Sequence, residues 1–132
     1  MQNELEEVLK LRNYLALFEA EMDDLRCYYF KKYTGNIAYA NEQYAEALSY
    51  YLEAEEKLQN ISNLDEMEIA DLHYSIGLAA YQTNNPCLVI THTKKALSIY
   101  KKDDKGYRVP ECYVNLSLGE KQSMHVKRMT VS

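Results

Sequence analysis

The chain has 132 residues, 47% of them hydrophobic, and 15 Lys and Arg stand against 20 Asp and Glu for a net charge of −5. That is enough chain for one domain with its own core, while the absence of a basic-then-apolar leader and of any apolar run near the roughly 18 residues of a membrane span leads us to expect a cytoplasmic protein with no membrane partner. Basic residues cluster only as pairs, Lys31/Lys32, Lys94/Lys95 and Lys101/Lys102, so no counterion-releasing face for nucleic acid is expected. With four Gly, two Pro and abundant Ala, Leu, Glu and Lys, a turn-rich all-β plan is disfavoured and helix is predicted throughout. Cys27, Cys87 and Cys112 are odd in number and lack a CxxC spacing, so they read as small buried hydrophobes and not as a disulfide framework or zinc knuckle.

In chain order, Leu5, Val8, Leu11, Leu15, Phe18, Met22 and Leu25 step by threes and fours, a heptad-like stripe on one helix face. Two readings of it stand: it folds back as a cap on the neighbouring helices, or it pairs with a second copy. Beyond it the sequence repeats itself. Gly35 and Gly77 are 42 residues apart, as are Ala54 and Ala96, and a further 42 from Gly77 falls on Gly119. Self-similarity at such a period marks a stack of supersecondary units. Each unit reads as two helices. In the first they run from about Met22 to Asn41 and along the stripe Tyr44, Ala47, Leu48, Tyr51, Ala54 and Leu58. In the second, Asp65 and Glu68 suggest a capping box, Ile69, Leu72, His73, Ile76, Gly77 and Ala80 form one stripe, and Asn85-Pro86 starts a partner helix with Val89, Thr93, Ala96, Leu97 and Tyr100 inward. A third unit starts near Pro110, and its apolar period is lost after Glu120. The expected layout is a linker or capping helix over 1–21, repeats over 22–120 (units about 22–60, 65–102 and 109–120), and a disordered basic tail over 121–132.

The run Gly35-Asn36, Tyr39, Tyr44-Ala45-Glu46-Ala47-Leu48, Tyr50-Tyr51 and Ala54 resembles a tetratricopeptide repeat. The resemblance implies an all-α fold of helical hairpins in a short right-handed superhelix of about two and a half repeats behind an N-terminal linker helix. The second unit departs from the pattern, with Val89 for the usual Ala, Thr93 for an aromatic and Pro86 for the Tyr. Met22-Asp-Asp-Leu-Arg-Cys-Tyr-Tyr-Phe30, Met67-Glu-Ile-Ala-Asp-Leu-His-Tyr-Ser-Ile-Gly77 and His92-Thr-Lys-Lys-Ala-Leu-Ser-Ile-Tyr100 are similar to the start of the repeat domain of Rap-type response-regulator aspartate phosphatases, peptide-sensing regulators of Gram-positive bacteria. This likeness covers about residues 22–119. It implies a truncated regulator whose partners are a response regulator or a secreted signalling peptide. The glutamine that positions the attacking water in that family has no counterpart before the repeats, so no phosphatase activity is expected.

The remaining chemistry is sparse. The acids Glu19, Glu21, Asp23 and Asp24 sit where a helix N-terminus favours solvated carboxylates, and no serine lies in a nucleophile elbow, so no catalytic residue is assigned. His73, His92 and His125 show no four-residue pairing, which assigns no metal and no cofactor and leaves His73 as a hydrogen-bonded core residue. Lys32 and Asn36 resemble half of a tetratricopeptide carboxylate clamp whose remaining positions are absent. Tyrosine is frequent, at 13, with no tryptophan. Lys32, Asn36, Tyr39, Tyr74, Leu78 and Tyr81 are the candidate peptide or partner face, because Asn36 with Leu78, and Tyr39 with Tyr81, repeat at the 42-residue unit. Tyrosine suits a peptide surface and equally suits packing between repeats, and both readings stand. The exposed end of the third unit, Val114, Leu116 and Leu118, predicts self-association. The alternative function is a free-standing protein–protein adaptor.

Overall fold

The structure, a computed structural model, describes the backbone of residues 2–21 and 23–131 and the side chains of 4–17 and 23–129. It is all-α. Among the described residues six helices follow one another, α1 (Gln2–Glu21), α2 (Asp24–Ala40), α3 (Tyr44–Lys57), α4 (Glu66–Gln82), α5 (Pro86–Tyr100) and α6 (Val109–Val131), with a 3-10 turn at Leu58–Asn60. Helices α2 to α6 pack on their chain neighbours, α2 on α3, α3 on α4, α4 on α5 and α5 on α6, as a stack of hairpins requires.

Local chemistry sets the boundaries. Asp23 caps α2 by accepting the Arg26 N–H at 2.9 Å, and Asp65 caps α4 by accepting the Met67 N–H at 3.1 Å. The capping box expected at Asp65 and Glu68 is only half formed, because Glu68 turns away to Tyr28 and Lys32 of α2. Asn85 precedes Pro86 as expected, but its side chain caps nothing in α5 and donates to the Thr83 carbonyl and hydroxyl. The turns inside the two hairpins are alike. Glu42 and Asn84, 42 residues apart, both take left-handed φ values of 61° and 60°, and the next N–H reaches back to Ala38 O and Ala80 O at 2.9 Å, the Schellman closure of a helix end.

The repeated glycines mark the close approaches. A Cβ on Gly35 would lie 2.7 Å from the Tyr51 ring, and one on Gly77 would lie 2.7 Å from Thr93 Oγ1. Tyr51 and Thr93 are themselves one 42-residue period apart. Gly119 keeps the register but faces backwards, where its Cβ would meet Val89 Cγ1 at 2.7 Å. The main core joins Tyr28, Leu48, Tyr51, Leu72, Ile76 and Val89, and a second joins Ala70, Ala96, Leu97, Tyr100 and Cys112. Cys27 and Cys112 are buried as expected, whereas Cys87 is exposed.

Three expectations about the ends change. Residues 4–17 of α1 are exposed throughout, so Leu5, Val8, Leu11 and Leu15 do not cap the first hairpin; the side chains of Phe18 and Met22 from the same stripe, and those of Glu19 and Glu21, lie outside the described residues. The expected disordered tail is instead the second half of α6, which runs to Val131. Its good helix formers extend the helix without an apolar period, and Gln122 anchors it by donating to the Tyr81 carbonyl at 2.8 Å; Ser132 lies outside the described residues. Of the apolar end expected to be bare, Val114 is exposed but Leu116 and Leu118 are half-buried. No helix among the described residues is long and apolar enough to cross a membrane.

Candidate functional site

The first helices of the two hairpins, α2 and α4, lie side by side and leave a cavity of about 220 Å³ lined by Asn36, Tyr39, Ala40, Tyr51, Tyr74, Ser75, Leu78 and Arg108. The Tyr51 hydroxyl donates to Asn36 Oδ1 at 2.6 Å, which orients the amide by its oxygen and leaves its N–H groups outside that bond. The Arg108 guanidinium stacks 4.5 Å from the Tyr74 ring centroid and lies 4.0 Å from Asp71 Oδ1. Burial pushes the Tyr39 and Tyr74 hydroxyls above their ordinary range, so at neutral pH both remain donors. Ala40, Leu78 and the tyrosine rings give the wall its apolar part, and the Asn36 amide and the Arg108 guanidinium bring N–H donors to it. It suits carbonyl or carboxylate oxygens on a narrow ligand.

Four of the six expected residues, Asn36, Tyr39, Tyr74 and Leu78, meet at this cavity. Two do not. Lys32 is buried, and its Nζ is bound to Glu68 Oε1, which also accepts from the Tyr28 hydroxyl at 3.2 Å. Its charge joins α2 to α4. Tyr81 packs against the main core, and its carbonyl receives Gln122 of α6.

A second cluster, which the search for histidines four residues apart did not find, lies where α3, α4 and α5 meet. His73 and His92 are buried, with rings stacked at 5.0 Å and their Nδ1 atoms 2.8 Å apart. Glu55 Oε2 lies 3.6 Å from His73 Nδ1 and 3.4 Å from His92 Nδ1. Desolvation, then the neighbouring His92 and Lys95, lower the His73 pKa to about 4. Desolvation also lowers that of His92, against the opposing pull of Glu55. Both rings are therefore neutral at pH 7, and their contacts with Glu55 are not ion pairs.

No family model matches the chain. The transcriptional activator NprA of Geobacillus stearothermophilus is 32% identical over 111 residues, 84% of this chain and 26% of that protein. Response regulator aspartate phosphatase E of Bacillus subtilis (strain 168) is 28% identical over 99 residues, 73% of this chain and 26% of that protein. The solved Rap conjugation gene regulator of plasmid pLS20, in complex with a Phr peptide, matches with a TM-score of 0.67 at 28% identity, over 79% of this chain and 29% of that one. The chain is related to the Rap-type regulators. It spans about a quarter of the length of the curated relatives it matches. A Rap protein complexed with competence and sporulation factor shares the fold, with a TM-score of 0.71 at 23% identity over 88% of this chain and 32% of that one.

The sequence reading missed Ala40, Tyr51, Ser75 and Arg108 as cavity residues. Tyr51 carried a signal, being on the inward stripe of α3, but that stripe predicts burial and not the reach of its hydroxyl to Asn36. Ser75 belongs to no apolar stripe of α4, so the helical period does not single it out. Arg108 gave none: it sits in the α5–α6 connection with φ 58°, and no helical period places it.

Proposed function

We propose that this chain is the part of a Rap-type regulator's repeat domain that receives a short signalling peptide, acting in the cytoplasm, with the cavity between α2 and α4 as its site. The observation that supports this best is the convergence of Asn36, Tyr39, Tyr74 and Leu78 with Arg108 on one cavity. Asn36 and Arg108 would take peptide carbonyl or carboxylate oxygens, and Tyr39, Tyr74 and Leu78 would hold an apolar side chain beside them. The solved pLS20 Rap regulator carries a Phr peptide, and that ligand class is the one we carry over.

Affinity should be modest. Each peptide contact that a longer stack would add is worth about 1 to 3 kcal/mol at a well-packed position, so a stack of this length should bind at micromolar dissociation constants or weaker. The test is an NMR titration with synthetic Phr-type peptides. The tyrosine-ring resonances of Tyr39, Tyr51 and Tyr74 should shift together, and Asn36→Ala and Arg108→Ala should each weaken binding about tenfold. No shift at millimolar peptide, or shifts confined to α1 and the far end of α6, would show that the tyrosines only pack repeats. Shifts produced by a response regulator but by no peptide would favour the adaptor reading.

A further inference from the structure

We propose that Glu55, His73 and His92 form a zinc site that ties the first hairpin to the second. The ligands come from three helices, α3, α4 and α5, and their candidate ligand atoms all lie within 4.8 Å of one another.

Two arguments carry the inference. The first is proton counting. Nitrogens 2.8 Å apart leave room for one proton between them, so whichever ring donates, the other presents a lone pair. Neither ring gives Glu55 Oε2 a hydrogen bond of ordinary length, at 3.4 and 3.6 Å. Three electron-rich atoms thus converge between two buried rings and a carboxylate that opens to solvent, with at most one proton for the two nitrogens to share, an arrangement that a cation satisfies. The second argument is metric. Zinc bonds of about 2.0 to 2.2 Å at tetrahedral angles separate their ligand atoms by about 3.3 Å. The observed triangle has sides of 2.8, 3.4 and 3.6 Å, and the zinc face is reached by opening the ring contact by half an ångström.

Two imidazoles and a carboxylate are a borderline donor set that suits zinc better than calcium or magnesium, which prefer oxygen alone. The carboxylate supplies the negative charge, and the nearby Lys95 acts against cation binding. The two histidines are buried, whereas the Glu55 side chain is 30% exposed, so entry of the ion and a fourth ligand, water, come from that side. Both rings would bind through Nδ1, and the ring that holds the shared proton without metal would move it to Nε2, so that each neutral ring carries its N–H there.

The test uses the full chain with zinc chloride, and cobalt chloride as its spectroscopic substitute. Calorimetry should give one equivalent of zinc. The cobalt form should show the strong visible bands of a four-coordinate ion without a thiolate charge-transfer band, which separates this site from the exposed Cys87. Glu55→Gln and His92→Gln should each weaken zinc binding at least tenfold, and Cys87→Ser should leave it unchanged. Zinc should raise the unfolding midpoint of the parent chain and not that of Glu55→Gln. If the histidine variant loses its helical circular dichroism, Glu55→Gln alone decides, because its partly exposed amide keeps the shape of the carboxylate. No binding at 0.1 mM zinc by the folded parent, or unchanged binding in Glu55→Gln, overturns the proposal.

Discussion

Replacing Lys32 by methionine tests whether this residue belongs to the framework or to a ligand face. In the structure Lys32 is 8% exposed, and its ammonium meets the carboxylate of Glu68, whose side chain is 22% exposed. Methionine keeps the stem and removes the charge, so Glu68 is left with the Tyr28 hydroxyl as its described partner. Stranding one member of a buried pair costs about 3 to 5 kcal/mol when water is fully excluded. Glu68 retains some access to water, so the lower end applies and we expect a loss of about 2 to 3 kcal/mol. Replacing both residues by methionine removes the stranded charge and should recover most of that loss, giving a coupling energy of about 2 kcal/mol in the double-mutant cycle. Urea unfolding followed by helical circular dichroism measures all four proteins. A Lys32→Met change within 0.5 kcal/mol of the parent, or strictly additive single effects, would refute the reasoning. Peptide affinity, corrected for the folded fraction, should not move; a specific loss would return Lys32 to the ligand face.

Gly77→Ala should destabilise by about 1 to 2 kcal/mol, the overpacking cost exceeding the gain in helix propensity. Its Cβ would sit 2.7 Å from Thr93 Oγ1, a buried hydroxyl without a hydrogen-bond partner, so adding Thr93→Ala should restore stability; a stabilised Gly77→Ala protein by thermal unfolding would contradict this. Burial raises the pKa of Tyr51 from 10.0 to about 12, so the folded state keeps a proton that the unfolded chain loses above pH 10. Stability tied to this group is complete below pH 10 and falls as pH rises towards 12, with a slope of up to about 1.4 kcal/mol per pH unit; urea unfolding at pH 9 to 11 should show a shallower fall in Tyr51→Phe, and equal slopes would refute it. The exposed stripe Leu5, Val8, Leu11 and Leu15 should drive self-association through α1, so Leu5→Glu with Leu11→Glu should give monomers by light scattering at high micromolar concentration, an outcome denied if the association persists.

The helical plan was legible in the sequence because it rests on near-neighbour physics. A 42-residue period appears wherever two helices must touch without a Cβ between them, and Gly35 and Gly77 sit at those touches. The inward stripes of α3, α4 and α5 follow from the helical period, and nearly every residue assigned to them is buried or half-buried. At the cavity the repeat length relates Asn36 to Leu78, whereas Tyr81, one repeat length from Tyr39, lies away from it. Contacts between hairpins obey no such rule. Lys32 looked like a free cation until packing brought Glu68 to it from 36 residues away. Arg108 reaches the Tyr74 ring from a connection whose path has no period. Gln122 of α6 meets the Tyr81 carbonyl 41 residues back. Glu55, His73 and His92 are 18 and 19 residues apart in sequence, and a search for ligands one helical turn apart passes over them. Their meeting is set by the order in which three helices stack and by the rotation of each about its axis. Those are properties of side-chain interlocking across the whole stack, and only the tertiary structure decided them.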